Sequence, residues 1–259
     1  MQQVRGVMGE IDLAKVELNY ERFREFANNR DLSERERIGF PESYRAGYEE
    51  AILSDIVSKL EFGFRKGARL LDIGCGASPM TSAILKAAKD FEISAVMNDS
   101  PEMLSLIDSD LPFEKLPGRF PEVLDQALEM HPEGYELILC YSVLHYIVLD
   151  TSIFDFIDAI CLALKPGGCA LIGDIPNLSK RRRFFASEEG IAFHKEFMKT
   201  DLPPEVKHFE IQRDAIDDAV LGAVVARVHA NGSDAYIVPQ PRSLPMFNRR
   251  DDIVVQRRL

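Results

Sequence analysis

The stretch from Ala68 to Pro79 constrains this chain more than any other. An apolar run, Leu70-Leu71-Asp72-Ile73, contains a single acid and then turns through Gly74 and Gly76. A helical pattern follows from Met80 to Lys89, with apolar residues at Ile84, Leu85 and Ala88. This reads as strand, glycine turn, helix. Glycine permits positive φ and close approach of a ligand to the backbone. The free N–H groups of a helix start favour polar or anionic groups there. In an open α/β sheet, ligands sit at the carboxyl ends of the strands. The stretch therefore predicts a pocket for a nucleotide-bearing ligand. A dinucleotide fingerprint needs a third glycine where Pro79 stands. Asp72, just before the turn, suits an ammonium group better than a pyrophosphate.

The rest of the chain suits one large α/β domain, or one domain with a cap. Acidic residues outnumber basic ones 42 to 31, a net charge of −11, which disfavours nucleic acid and acidic membranes as partners. No secretory signal and no apolar run long enough for a membrane span is visible, so cytoplasmic residence is expected. Cys75, Cys140, Cys161 and Cys169 lie in or beside apolar runs without C-x-x-C spacing. They read as free thiols, and no metal site is expected.

Asp72-Ile73-Gly74-Cys75-Gly76 after an apolar strand resembles the first motif of the class I S-adenosylmethionine (SAM)-dependent methyltransferases. Three later segments follow in that family's order. Asn98-Asp99-Ser100-Pro101-Glu102-Met103-Leu104 ends a second strand, about 20 residues past the turn, where an acid would hold ribose hydroxyls. The family's acid falls at Asn98, so either Asn98 or its neighbour Asp99 makes that contact. Ser100 is placed to cap the following helix, and Met103 to lie against the adenine or in the helix core. Tyr135 to Cys140 is a nearly continuous apolar strand, followed by Tyr141-Ser142-Val143-Leu144-His145. Leu164-Lys165-Pro166-Gly167-Gly168 then precedes the strand Cys169 to Ile175, with Gly167 expected to end a helix.

The resemblance implies an α/β, Rossmann-like doubly wound, mostly parallel seven-stranded sheet with a closing antiparallel hairpin. It implies SAM as cofactor. Asp72, Gly74, Cys75 and Gly76 would face its amino-acid part, Asn98, Asp99 and Ser100 the ribose, and Met103, Arg119 and Phe120 the adenine. Arg119 stands where the family often has an acid. Tyr141 and Ser142 would border the cofactor. His145 is a candidate base, since its pKa lies near neutrality, or a packed histidine. Asp174, ending the next strand, is a second candidate or a helix cap.

Residues 1–67 read as a helical cap or lid, with helical patterns at Ile11–Asn28 and after Ser43. Tyr44 and Arg45 are its candidates for reaching substrate. Residues 176–204 read as an insertion in the 68–259 domain. Lys180-Arg181-Arg182-Arg183 is the only dense basic run, either a solvated face or a grip on an anionic substrate, with Arg182 as the candidate and His194 as a second contact. A helix over Asp214–His229 and strands at Asp234–Pro239 and Asp252–Gln256 complete the pattern. The expected activity is methyl transfer to a small polar, anionic metabolite, with an oxygen nucleophile on a sugar or nucleotide-linked sugar. The alternative is a SAM-binding scaffold or regulatory protein without turnover.

Overall fold

A computed structural model describes residues 18–39, 47–107, 110–208, 210, 212 and 215–259. Its frame is one seven-stranded sheet: β1 (Arg69–Ile73), β2 (Ser94–Asp99), β3 (Glu114–Pro117), β4 (Tyr135–Tyr141), β5 (Leu164–Pro176), β6 (Ser233–Pro239) and β7 (Arg250–Arg257). The order is β3-β2-β1-β4-β5-β7-β6. The first five strands run parallel, and β7 is antiparallel to both of its neighbours. This is the doubly wound sheet with a closing hairpin expected above. The order reverses between β1 and β4, which opens a crevice at their carboxyl ends.

Successive strand residues face opposite sides of a sheet. Leu71, Ile73, Val96, Ile138, Cys140 and Ile172 pack on one face with Phe156, Ile157 and Val224. Leu70, Ala95, Met97, Leu137, Leu139 and Leu171 pack on the other with Ile52, Ile56, Ile84 and Leu85. Both faces are buried, which explains the continuous apolar runs.

The helices are α1 (Tyr20–Asn28), α2 (Glu34–Arg37), α3 (Glu49–Lys59), α4 (Pro79–Asp90), α5 (Pro101–Ser105), α6 (Leu124–Met130), α7 (Leu144–Asp150), α8 (Ile153–Ala163), α9 (Leu178–Ala186), α10 (Glu188–Met198) and α11 (Asp218–Ala230). The front segment has two parts. α3 carries Ile52 and Ile56 into the core beside α4, while α1 and α2 stand apart from it. Asn19 caps α1, and Ser33 and Glu36 form a capping box on α2. Of the buried stripe expected after Ser43 (Ala46, Tyr48, Ile52, Ile56 and Leu60), Ile52, Ile56 and Leu60 are buried, Tyr48 is exposed just before α3 starts at Glu49, and Ala46 lies outside the described residues.

Two expectations need correction. Gly167 does have positive φ (79°), but it does not end α8. That helix stops at Ala163, and Leu164 is already extended, pairing with Tyr135 as the start of β5. The second concerns the basic run, which lies on α9, capped by Asn177. Lys180 Nζ donates to Asp251 (2.6 Å) and to the Arg250 carbonyl (2.7 Å), and Arg183 pairs with Asp218. Arg182 donates to the Glu210 carbonyl at 2.7 Å. Most of the run therefore fixes α9 in place. Among the described residues, no helix is long and apolar enough to cross a membrane and no metal-binding cluster occurs.

Candidate functional site

The crevice at the carboxyl ends of β1, β2 and β4 is a cleft of about 1060 Å³, counting its open mouth. The register builds it. Ile73 of β1 lies level with Asn98 of β2, so the glycine turn meets the end of β2. Gly74 N and Cys75 N donate to the Asn98 carbonyl (2.9 and 3.1 Å), and Gly76 N donates to Asp99 Oδ2 at 2.9 Å. The turn needs its glycines. Gly74 and Gly76 have φ of 67° and 61°, and a Cβ would lie 2.7 Å from Val143 or 2.9 Å from Ile38.

This arrangement decides the sign of the ligand's charge here. Three turn amides are already spent on β2, so they form no open cradle for a phosphate. The turn instead presents carboxylates. Asp72 is buried, and its Oδ2 has no hydrogen-bond partner. Burial, with the Asp99 charge adding to it, pushes the Asp72 carboxyl up to about 8. Asp99 is pushed up to about 6 by burial, against the lowering effect of the Ser100 and Gly76 amides. Buried carboxyls without a cation form a site that favours a positively charged group.

Asn98 and Asp99 differ in their partners. Asn98 Nδ2 donates to the carbonyls of Leu116 (2.8 Å) and Gly118 (2.9 Å), which ties its amide to β3. Asp99 has an oxygen on each of two amides at the cleft wall. Both residues line the cleft, and Asp99 supplies the carboxylate. Ser100 is fully buried and caps α5, outside the lining.

Met103 and Phe120 line the cleft while remaining almost fully buried, Phe120 edge-on to Phe156. Arg119 also lines it, donates to Thr151 and lies 3.9 Å from Asp150. Tyr141 and Ser142 form the wall after β4. Ser142 has φ of 61° and Asp174 of 57°, both in the left-handed region and at the ends of neighbouring strands. The Ser142 hydroxyl donates to Asp174, and Arg250 Nη1 donates to the Asp174 carboxylate (2.9 Å) and carbonyl (2.7 Å). Strain of this kind persists only where the surroundings hold it.

Besides Ser100, four of the sequence candidates lie elsewhere. His145 sits in the first turn of α7 with its ring 4.0 Å from that of Tyr146, and it is not part of the cleft lining. Asp174 lies behind Ser142, outside the lining. Arg182 and His194 are on α9 and α10, away from the cleft. Tyr44 and Arg45 fall outside the described residues. Conversely, Tyr20 and Phe23 of α1, Ile38 after α2, and Tyr146, Ile147 and Asp150 of α7 line the cleft. Burial, then the Asp99 charge, pushes the Tyr20 hydroxyl up to about 12. Sequence reasoning missed these residues. The Ser33-x-x-Glu36 capping signature was the one available sign of α2, and nothing in the sequence aims α1 at the glycine turn.

No family model and no curated protein matches the chain. Solved structures do. One is the plantazolicin methyltransferase BpumL in complex with SAH, with a TM-score of 0.57 and 11% identity over 95% of this chain and 98% of that one. Another is the methyltransferase domain of bacterial CtHen1-C, with a TM-score of 0.51 and 14% identity over 80% and 97%. A third, described as a possible exported protein from Bordetella parapertussis, has a TM-score of 0.52 and 16% identity over 95% and 85%. At these identities the likeness is one of fold: the chain folds as BpumL and the CtHen1-C methyltransferase domain do.

Proposed function

We propose that this chain is a methyltransferase that takes its methyl group from SAM. The observation that carries the proposal is the unpartnered, buried Asp72 Oδ2 facing a cleft whose turn amides are already spent. That combination suits the ammonium of an amino-acid tail and opposes a pyrophosphate. Asp99 would accept from the ribose hydroxyls, and Met103, Phe120 and Arg119 would border the base. Tyr141 and Ser142 would stand beside the transferable methyl. BpumL, which shares the fold, is described in complex with SAH.

The cofactor supplies an activated methyl on a sulfonium, so the protein's task is mainly one of position. In-line orientation of the nucleophile lowers the barrier by several kcal/mol, about 7–11 in the best intramolecular cases. Here β1, β2 and β4 fix the floor of the cleft, while Tyr20, Phe23 and Ile38 exclude water from above.

The acceptor we infer is a small molecule entering past Ser142 and Tyr146. The basic run no longer argues for an anionic acceptor, since α9 spends most of it on its own contacts. His145 and Asp174 are outside the lining, so an oxygen acceptor would have to use Asp150, the lining carboxylate not assigned to the cofactor. The same observation favours the second reading, a protein that binds SAM without turnover.

Calorimetric titration with SAM, SAH and NAD tests the proposal. We expect binding of SAM and SAH and none of NAD. Binding of NAD alone would overturn it. Methyl release from labelled SAM across an acceptor panel then separates enzyme from scaffold.

A further inference from the structure

We infer that α1 is the movable wall of the cofactor site, and that the Arg24–Glu102 ion pair is the clasp that holds it shut. The inference rests on the cofactor reading above and concerns the regulation of that site. The floor of the cleft is made of strand ends, but one wall is not. Tyr20 and Phe23 of α1, with Ile38 after α2, face the glycine turn and Asp99 from the opposite side. Ile38 overlies the turn so closely that a Cβ on Gly76 would be 2.9 Å from its methyl. A ligand reaching from Asp72 to Phe120 therefore lies beneath this wall, and cannot leave upward until it moves.

Among the described residues, the ties of the wall to the rest of the fold include an ion pair, a ring contact and a backbone hydrogen bond. Arg24 Nη2 donates to Glu102 Oε1 at 2.7 Å and Nε to Oε2 at 3.1 Å, a two-pronged pair joining α1 to α5. The Phe23 ring meets Tyr146 edge-on at 4.9 Å. The backbone N–H of Tyr20 donates to Asp150 Oδ2 at 3.3 Å. Among the described residues of this region, Phe26, Ala27 and Leu32 are the buried apolar ones, whereas α3 contributes Ile52 and Ile56 to the core. A wall tied by a partly exposed ion pair, one aromatic contact, one backbone hydrogen bond and the small cluster of Ala27 with Ala77 and Met103 can open locally without unfolding the sheet. Glu102 also follows Asp99, Ser100 and Pro101 at the start of α5, so the clasp closes beside the carboxylate assigned to the ribose.

The test measures SAH dissociation by stopped flow, with hydrogen exchange at residues 20–28 recorded on the apo protein. Arg24→Glu and Glu102→Arg should each speed SAH release by up to about fivefold and lower exchange protection of α1, with the melting temperature of the apo protein unchanged. The combined exchange, Arg24→Glu with Glu102→Arg, should restore both. Arg22→Glu alters an α1 charge paired, among the described residues, within the helix to Glu25, so it should change neither. Unchanged release in both single variants, or no recovery in the double, overturns the inference. If the wild type binds no SAH, the cofactor reading fails. The exchange data then judge the clasp alone, and equal protection in all variants removes it.

Discussion

Asp72 is a carboxyl kept almost wholly from water, and its titration should reveal what the cleft is for. Its value near 8 lies well above the ordinary carboxylate range, about 4. Between those values the folded protein holds a proton that the unfolded chain has released. The contribution to stability is complete below about pH 4 and is lost as pH rises through about 8. We expect the melting temperature of the apo protein to fall between about pH 4 and pH 8 and to level off above that, and to fall less in Asp72→Asn. A ligand ammonium reverses the preference and favours the ionised acid. SAH affinity should therefore rise with pH, by up to about tenfold per unit, and level off above about 8. Calorimetry in buffers of different ionisation enthalpy should show proton release on binding at pH 7. Asp72→Asn should bind weakly at every pH, and a pH-independent affinity in the wild type would refute the ammonium contact.

At the scale of elements, the strand–turn–helix unit was legible because each part has a local cause. The glycines of β1–α4 are forced by close neighbours, and Ser100 and Pro101 start α5 as their chemistry dictates. The end of β2 was not legible, since Asn98 and Asp99 look equivalent in sequence. They differ only because β3 lies beside β2 and takes the Asn98 amide. Likewise Lys165-Pro166-Gly167-Gly168 has the composition of a helix stop. Pairing of Leu164 with Tyr135 ends the helix earlier. The Asn98 role is testable by unfolding in denaturant. Asn98→Ala leaves the Leu116 and Gly118 carbonyls without that donor and should cost about 1–3 kcal/mol. Asn98→Asp, which puts an acid at the family's usual position, should cost more, because it sets an oxygen against two carbonyl oxygens. It should not improve SAH affinity. Asp99→Asn, by contrast, should weaken SAH binding.

Across the whole molecule, the two ends of the chain meet through charges that no sequence pattern marks. Lys59, the last residue of α3, reads as one more solvated lysine, and Asp252 as an odd acid in an apolar strand. In the fold Lys59 Nζ donates to Asp252 Oδ2 and to Asp55 Oδ2, both at 2.6 Å. Asp252 is fully buried, and its Oδ1 accepts from Asp174 N (2.7 Å) and Gln240 Nε2 (3.0 Å). Asp174 in turn holds the Ser142 hydroxyl at the cleft wall. Burial pushes the Asp252 carboxyl up and Lys59 opposes the shift, so removing the lysine leaves a charge with too few partners. Lys59→Met should lose about 3–5 kcal/mol at pH 8. The variant's Asp252 titrates higher still, and protonation relieves the unpaired charge as pH falls. The loss should therefore shrink at pH 5, and Lys59→Met with Asp252→Asn should recover part of it at pH 8. Denaturant unfolding at both pH values reads all of these outcomes. An equal loss at pH 5 and pH 8 would mean that Lys59 acts by packing its stem rather than by neutralising Asp252.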